Sequence, residues 1–416
     1  MGRPGCYAMP ILPVSRRSLF LYVICGGLIM GAALGVRHVQ GLFMLPMTID
    51  RGWSREAFGF AIALQNLVWG VAQPLTGMIA DRYGSAKVIC AGTLLYGLGL
   101  WLMAQAVTPA QLTLSAGLLI GVALSGTAFG AIYGALSRIA APADRGWALG
   151  LAGAVGGLGQ FVMVPVAQGL LGSIGYAAAL LVLGLSIAAL TPAGGALRER
   201  GRAEAGGPRQ SLREALTEAF AQRGFWLLGF GFLACGFQLA FIASHLPAYL
   251  LDRGLSARDA TAGLAIIALT NTAGTYWFGV LGARRRRKYI LSAIYLVRAL
   301  AMALFVTLPL SPLSVYLFCA VMGFIWLGTV PLTTGLVTQV FGVRYVATLF
   351  GLVFFGHQVG SFFGVWLGGV VFDATRSYDL IWGGAIALGV IAAALHWPID
   401  DRELVRTARA GDPSPA

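Results

Sequence analysis

The chain has 416 residues, of which 58% are hydrophobic and only 11% charged, and its mean hydropathy is +0.78. A soluble protein of this length needs far more charge on its surface, so the composition excludes that class and implies an integral membrane protein. The formal net charge of +13 reflects topology rather than a nucleic-acid partner, because cytoplasmic loops of membrane proteins accumulate Lys and Arg.

In chain order, apolar runs long enough to cross a bilayer, about 20 residues each, occur near 19–44, 57–79, 87–107, 112–136, 147–171, 175–195, 224–249, 259–281, 289–309, 313–337, 346–371 and 379–397. These are spans one to twelve. Each is expected to be helical, because backbone facing lipid must satisfy its own hydrogen bonds. With both termini inside, the cytoplasmic segments collect Arg16, Arg17, Arg82, Lys87, Arg138, Arg145, the 198–223 loop, the run Arg284 to Lys288, Arg344 and the tail. Only Arg51, Arg55, Arg253, Arg258 and Arg376 then fall outside, which supports that orientation. Ser15-Arg16-Arg17-Ser18 loosely resembles a twin-arginine export signal, but the spans that follow favour a positive-inside anchor. The short loops and tails fit a bacterial inner membrane.

The long loop at 196–223 divides the chain into a bundle at 1–195, a linker, a second bundle at 224–397 and a tail at 398–416. Ser211-Leu212-Arg213-Glu214 has the capping-box pattern, and Leu212, Leu216, Ala219 and Phe220 share one face. A short amphipathic helix on the inner membrane surface is expected there. The five cysteines, Cys6, Cys25, Cys90, Cys235 and Cys319, have no metal-ligand or C-x-x-C spacing and read as packing residues.

The two halves repeat. Asp50-Arg51-Gly52 and Ser54 recur as Asp252-Arg253-Gly254 and Ser256, an offset of 202 that also carries Gly77 to Gly279 and Arg82 to Arg284. A constant offset across a turn, a helix and the next loop implies two six-helix bundles of common design. Such repeats place a binding site between the halves, near mid-membrane.

The loop after span two reads Gly77-Met78-Ile79-Ala80-Asp81-Arg82-Tyr83-Gly84-Ser85-Ala86-Lys87. It resembles the G-x-x-x-D-R-x-G-x-[RK] signature of the major facilitator superfamily, with the last basic residue one place later. The resemblance covers essentially the whole chain. It implies an all-α integral membrane fold of twelve transmembrane helices in two pseudo-symmetric six-helix bundles. It also implies a conformational latch at Gly77, Asp81, Arg82 and Gly84. Gly77 and Gly84 would allow a tight turn and close helix contact, and Asp81 could accept hydrogen bonds from a neighbouring helix N-terminus. The second copy of the loop has Ala283 in place of the acid, so its latch is degenerate. Within the superfamily the polar first span (Gly35 to Gly41) and the glycine-rich fifth (Gly150 to Gln160) most resemble bacterial relatives of monocarboxylate and oxalate–formate carriers. The chain departs from those carriers in having no lysine in any span and no charge in span eight.

Arg37, His38, His245, Arg298 and His357 lie inside apolar runs, whereas each of the sixteen Asp and Glu falls in a loop, a tail or a helix end. A membrane-embedded arginine costs about 2.5–3.5 kcal/mol on insertion scales, so such residues are functional-site hypotheses by default. A wholly cationic set implies that the counter-charge arrives with an anionic substrate. Arg37 presents a planar fork suited to a carboxylate, and Gln40 shares its face. Gln238 and His245 share a face of span seven, and His357-Gln358 lie in span eleven. Gln65, Asn66, Gln160 and Asn271 are neutral hydrogen-bonding candidates, and Trp69, Trp277 and Trp326 are candidates to line the path, although aromatic residues in membrane helices more often pack or form the interfacial belt. His245 and His357 are the candidates for proton coupling. Arg298, deep in a span that is peripheral in the resembled fold, reads as structural rather than ligand-binding.

The expected function is therefore secondary active transport of a small organic anion, a monocarboxylate, by proton symport or anion exchange. The competing reading is a drug or siderophore exporter of the same fold. There is no nucleophile–base pair, metal-ligand cluster or P-loop, so an enzyme, a cofactor and a metal are not expected. The expected partners are the anion, a proton and the lipid bilayer, with the chain acting as a monomer.

Overall fold

The computed structural model describes residues 15–53, 55–199 and 210–404. Among the described residues every regular element is helical. Ten helical stretches are long and apolar enough to cross a membrane. One of them, Arg145–Ala196, is 52 residues long and holds both span five and span six. Gly175 separates these two with φ 75° and ψ 170°, a conformation open to glycine and strained for other residues. Span two lies in the 29-residue helix Arg55–Tyr83, where Gln65, Asn66 and Gln73 lower the hydropathy. All twelve predicted runs thus lie in helices. The helix expected after Ser211 runs Leu212–Ala221, and both hydrogen bonds of its capping box are made.

Two spans are broken, and they are equivalent in the two halves. Span four is interrupted at Ala128, between Ile120–Thr127 and Phe129–Ile139. Span ten is interrupted at residues 325–328, between Pro312–Phe324 and Thr329–Phe341. Backbone groups freed at membrane depth need other partners, and the break in span ten finds them in Asn271 and Arg298, as described below.

Within each half, span one (Arg16–Val39) packs on span five, and span seven (Arg223–Asp252) packs on span eleven (Val346–Thr375). Between halves, span two packs on span eleven, and span five on span eight (Ala257–Arg284). Small residues permit these approaches. A Cβ on Gly77 would lie 2.6 Å from the Ala347 carbonyl oxygen, and one on Gly279 would lie 2.4 Å from Gly150 Cα. Gly59 is 18 residues before Gly77 and therefore on the same face of span two, at about 3.6 residues per turn. A Cβ there would meet nothing within 4 Å. The halves are therefore in contact at the face that carries the basic loops, here the basic face, and the close approach of span two at Gly77 is not repeated at Gly59.

Candidate substrate site between the halves

Span one ends its α-helix at Val39 and continues as a 3-10 turn over Gln40–Phe43. This places Arg37 in the last helical turn, pointing at span two. Its Nη2 donates to Asn66 Oδ1, and its guanidinium lies 5.2 Å from the centre of the Trp69 ring. Arg37 Nε and both polar atoms of the Gln40 side chain are buried without a protein partner. A buried donor left unmatched costs roughly 1–3 kcal/mol; Arg298 Nε, Gln238 Oε1 and Asn271 Nδ2 are likewise without a partner among the described residues.

The cluster continues into the other half. Gln358 Nε2 donates to the Asn66 carbonyl oxygen at 3.1 Å, and His357 Nδ1 lies 2.9 Å from Gln358 Oε1. His357 stacks on Phe354 with centroids 5.2 Å apart, and Phe354 lies 4.9 Å from Trp69. Phe129, at the start of the second segment of span four, lies 6.5 Å from Trp69. Arg37, Asn66, Trp69, Phe354, His357 and Gln358 thus form one connected group spanning both halves, with a single arginine over the Trp69 ring and further aromatic rings behind it. Gln40 lies beside it, one turn beyond Arg37.

Other predicted residues are placed elsewhere. Gln238 and His245 do share a face, but it turns toward their own half. Gln238 Nε2 donates to Ala385 O at 2.9 Å, and His245 Nε2 lies 2.9 Å from Val365 O. The carbonyl can only accept, so His245 keeps its proton on Nε2, while Nδ1 lies 3.3 Å from Tyr378 Oη. Asn271 meets span five near Gly157 and also serves the break in span ten: its Oδ1 accepts from Leu327 N at 3.1 Å. Gln160 is buried one turn beyond Gly157, outside the Arg37 cluster. Arg298 is fully buried in span nine (Arg287–Thr307), where Nη2 donates to Ile325 O and Trp326 O, both at 2.6 Å, and Nη1 to Cys235 Sγ at 3.1 Å. It holds the freed carbonyls of the break in span ten.

At the basic face, Asp81 joins the halves. Its Oδ2 accepts from Thr348 N at 2.8 Å and Thr348 Oγ1 at 2.6 Å, in the first turn of span eleven. Its Oδ1 accepts from Arg138 Nη1 at 2.6 Å, and Arg138 Nε also donates to Glu199 Oε1 at 2.9 Å. Gly84 has φ 98°, which starts the next helix at Ser85. Arg82 lies over Tyr83, 5.3 Å from its ring centre. In the second half, where Ala283 stands in place of the acid, the carboxylate of Asp401 pairs within its own half. Arg286 donates to it twice, at 3.1 Å and 2.5 Å, and Asp401 is again offset by 202 residues from Glu199.

The family model of the Major Facilitator Superfamily matches residues 19–365. The chain belongs to the major facilitator superfamily. Among its curated relatives, an uncharacterized MFS-type transporter of Bacillus subtilis, YcxA, is 25% identical over 86% of this chain and 90% of its own. The oxalate:formate antiporter of Oxalobacter formigenes is 26% identical over 85% of this chain and 84% of its own. Monocarboxylate transporter 11 of Mus musculus is 30% identical over 58% of this chain and 54% of its own. The solved E. coli fucose:proton symporter FucP matches 92% of this chain and 99% of its own with a TM-score of 0.68, at 17% identity, a likeness of fold. This superfamily member is therefore a multi-pass membrane transporter.

Sequence reasoning missed Cys235 as a partner of Arg298, and it missed Tyr133. The Tyr133 hydroxyl is buried without a partner beside the contact of Gly153 with Thr275. Its only signal was a hydroxylated aromatic within an apolar run.

Proposed function

We propose that this transporter moves a small organic anion, a monocarboxylate with an apolar body, by alternating access. The observation that carries the reading is Arg37: among the described residues, a membrane-embedded cation bonded only to a neutral amide and an aromatic face, with Nε unmatched and no carboxylate in the cluster. A carboxylate would pair with the guanidinium as a charge-assisted fork, and Trp69 and Phe354 would meet an apolar body. A single charge is favoured over two because the other membrane arginine, Arg298, is engaged by backbone carbonyls. Proton symport or anion exchange follows from the charge balance of a monoanion. His357 is the better placed proton group because it lies inside the cluster, whereas His245 faces its own half, on Val365 and Tyr378. The contacts at the basic face make this the state closed on that side, with Gly77, Asp81, Arg82 and Gly84 acting as the latch. The basic face is the cytoplasmic side, with both termini there, in a bacterial inner membrane, and the chain works as a monomer.

The test is counterflow in proteoliposomes at two pH values, with a panel of small monocarboxylates, a dicarboxylate, a neutral analogue and an organic cation. Saturable exchange of a monocarboxylate is expected. Exchange of the cation, or only of large lipophilic compounds, would instead favour an exporter.

A further inference from the structure

The outer surface of the second half carries a groove of about 530 Å³ between spans eight and nine, ending at the break in span ten. The volume lies within the range of small-ligand sites, roughly 300–1,000 Å³. Its floor is apolar, with Phe278, Leu281, Ile294, Val297 and Ile325, and its end at the basic face is marked by Arg285, Arg286 and Tyr289. From Arg286 to Val297 the span nine helix rises about 16 Å at 1.5 Å per residue. One leaflet of hydrocarbon is about 15 Å deep, so the groove is one acyl chain deep.

The charged end is balanced by protein only in part. Arg286 is engaged by Asp401. Arg285 is exposed, and none of the hydrogen bonds and ion pairs among the described residues engages it. Tyr289, four residues after Arg285, packs against Trp397 with ring centroids 4.8 Å apart and planes tilted by 54°, and Trp397 is 60% exposed. Paired exposed aromatics of this kind sit at the headgroup level of a bilayer, so Arg285 stands in the phosphate layer above an apolar channel.

We propose that this groove is a specific site for an anionic phospholipid, with its phosphate on Arg285 and one acyl chain along span nine to the break in span ten. The break held by Arg298 would then sit under the lipid, so the occupant would brace the span that is discontinuous. The site is distinct from the Arg37 cluster and does not depend on which substrate is moved.

The experiment is native mass spectrometry of the purified full chain in detergent, titrated with phosphatidylglycerol or phosphatidylcholine. One phosphatidylglycerol should be retained in preference to phosphatidylcholine. Arg285→Gln should reduce that preference about fivefold, the equivalent of the ~1 kcal/mol that one basic side chain contributes at an anionic surface. Ala293→Trp, which fills the exposed floor of the groove, should release both lipids, while Arg253→Gln on the opposite face should change neither. Unfolding temperatures without added lipid control for folding. An unchanged preference in Arg285→Gln, undiminished retention in Ala293→Trp, or displacement of the lipid by inorganic phosphate would each overturn the proposal.

Discussion

Replacing Asp81 by Asn tests whether the contact at the basic face sets the conformational equilibrium. Of the three short hydrogen bonds to Asp81, the one from Arg138 lies within the first half and survives separation of the halves. Of these three, the two from Thr348 cross between them. An ionised acceptor adds about 1 kcal/mol per bond over a neutral one, and a carboxylate at a helix N-terminus adds roughly 0.3–1 kcal/mol. Asn, which retains an oxygen for Thr348 but not the charge, should therefore weaken the closed arrangement by about 2–3 kcal/mol. At 1.4 kcal/mol per tenfold, this multiplies the ratio of open to closed at the basic face by roughly 30–150. Thr348→Val, which removes only the hydroxyl donor, should shift it by about tenfold. The assay is electron–electron double resonance between spin labels at Lys87 and Arg284, with Cys6, Cys25 and Cys90 replaced by Ser. A long-distance population should grow from wild type through Thr348→Val to Asp81→Asn. An unchanged distance distribution in a folded Asp81→Asn protein would refute the latch reasoning.

Arg298→Met should lower stability by about 3 kcal/mol or more, because it strands the carbonyls of Ile325 and Trp326 in the membrane interior; thermal unfolding in detergent checks this, and a wild-type midpoint would contradict it. Asp401 is held below the usual carboxylate range, chiefly by its hydrogen bonds from Arg286. A depressed folded value means its contribution is complete above the ordinary carboxylate pKa, about 4, and is lost as pH falls through the folded value. The stability difference between wild type and Asp401→Asn should therefore be present at pH 7 and vanish in acid, as urea unfolding at several pH values would show. If His357 carries the coupled proton, His357→Gln should flatten the pH dependence of uptake while His245→Gln should not; the reverse outcome would move coupling to span seven.

The span pattern and the half-chain repeat were legible because lipid imposes length and apolarity on every helix, and because Asp50 and Asp252 begin matching turns. The motif proposed as a latch was readable because Gly77, Asp81 and Gly84 fall within one eight-residue stretch. The site was only partly readable. Helical spacing shows that Gln238 and His245 share a face, but not that this face meets spans eleven and twelve of their own half. The bond from Gln358 to Asn66 joins residues 292 positions apart, which no local pattern encodes. The break in span ten is likewise supported from a distance, by Asn271 and Arg298, and no proline stands within residues 325–328 to announce it.

The central claim is that Arg37 holds the charge of an anionic substrate. Its most direct test is counterflow of a transported monocarboxylate against its isosteric amide, in wild type and in Arg37→Gln. The account predicts saturable exchange of the carboxylate by wild type, little exchange of the amide, and loss of carboxylate exchange in a folded Arg37→Gln protein. Carboxylate exchange that survives in Arg37→Gln at wild-type affinity would contradict it.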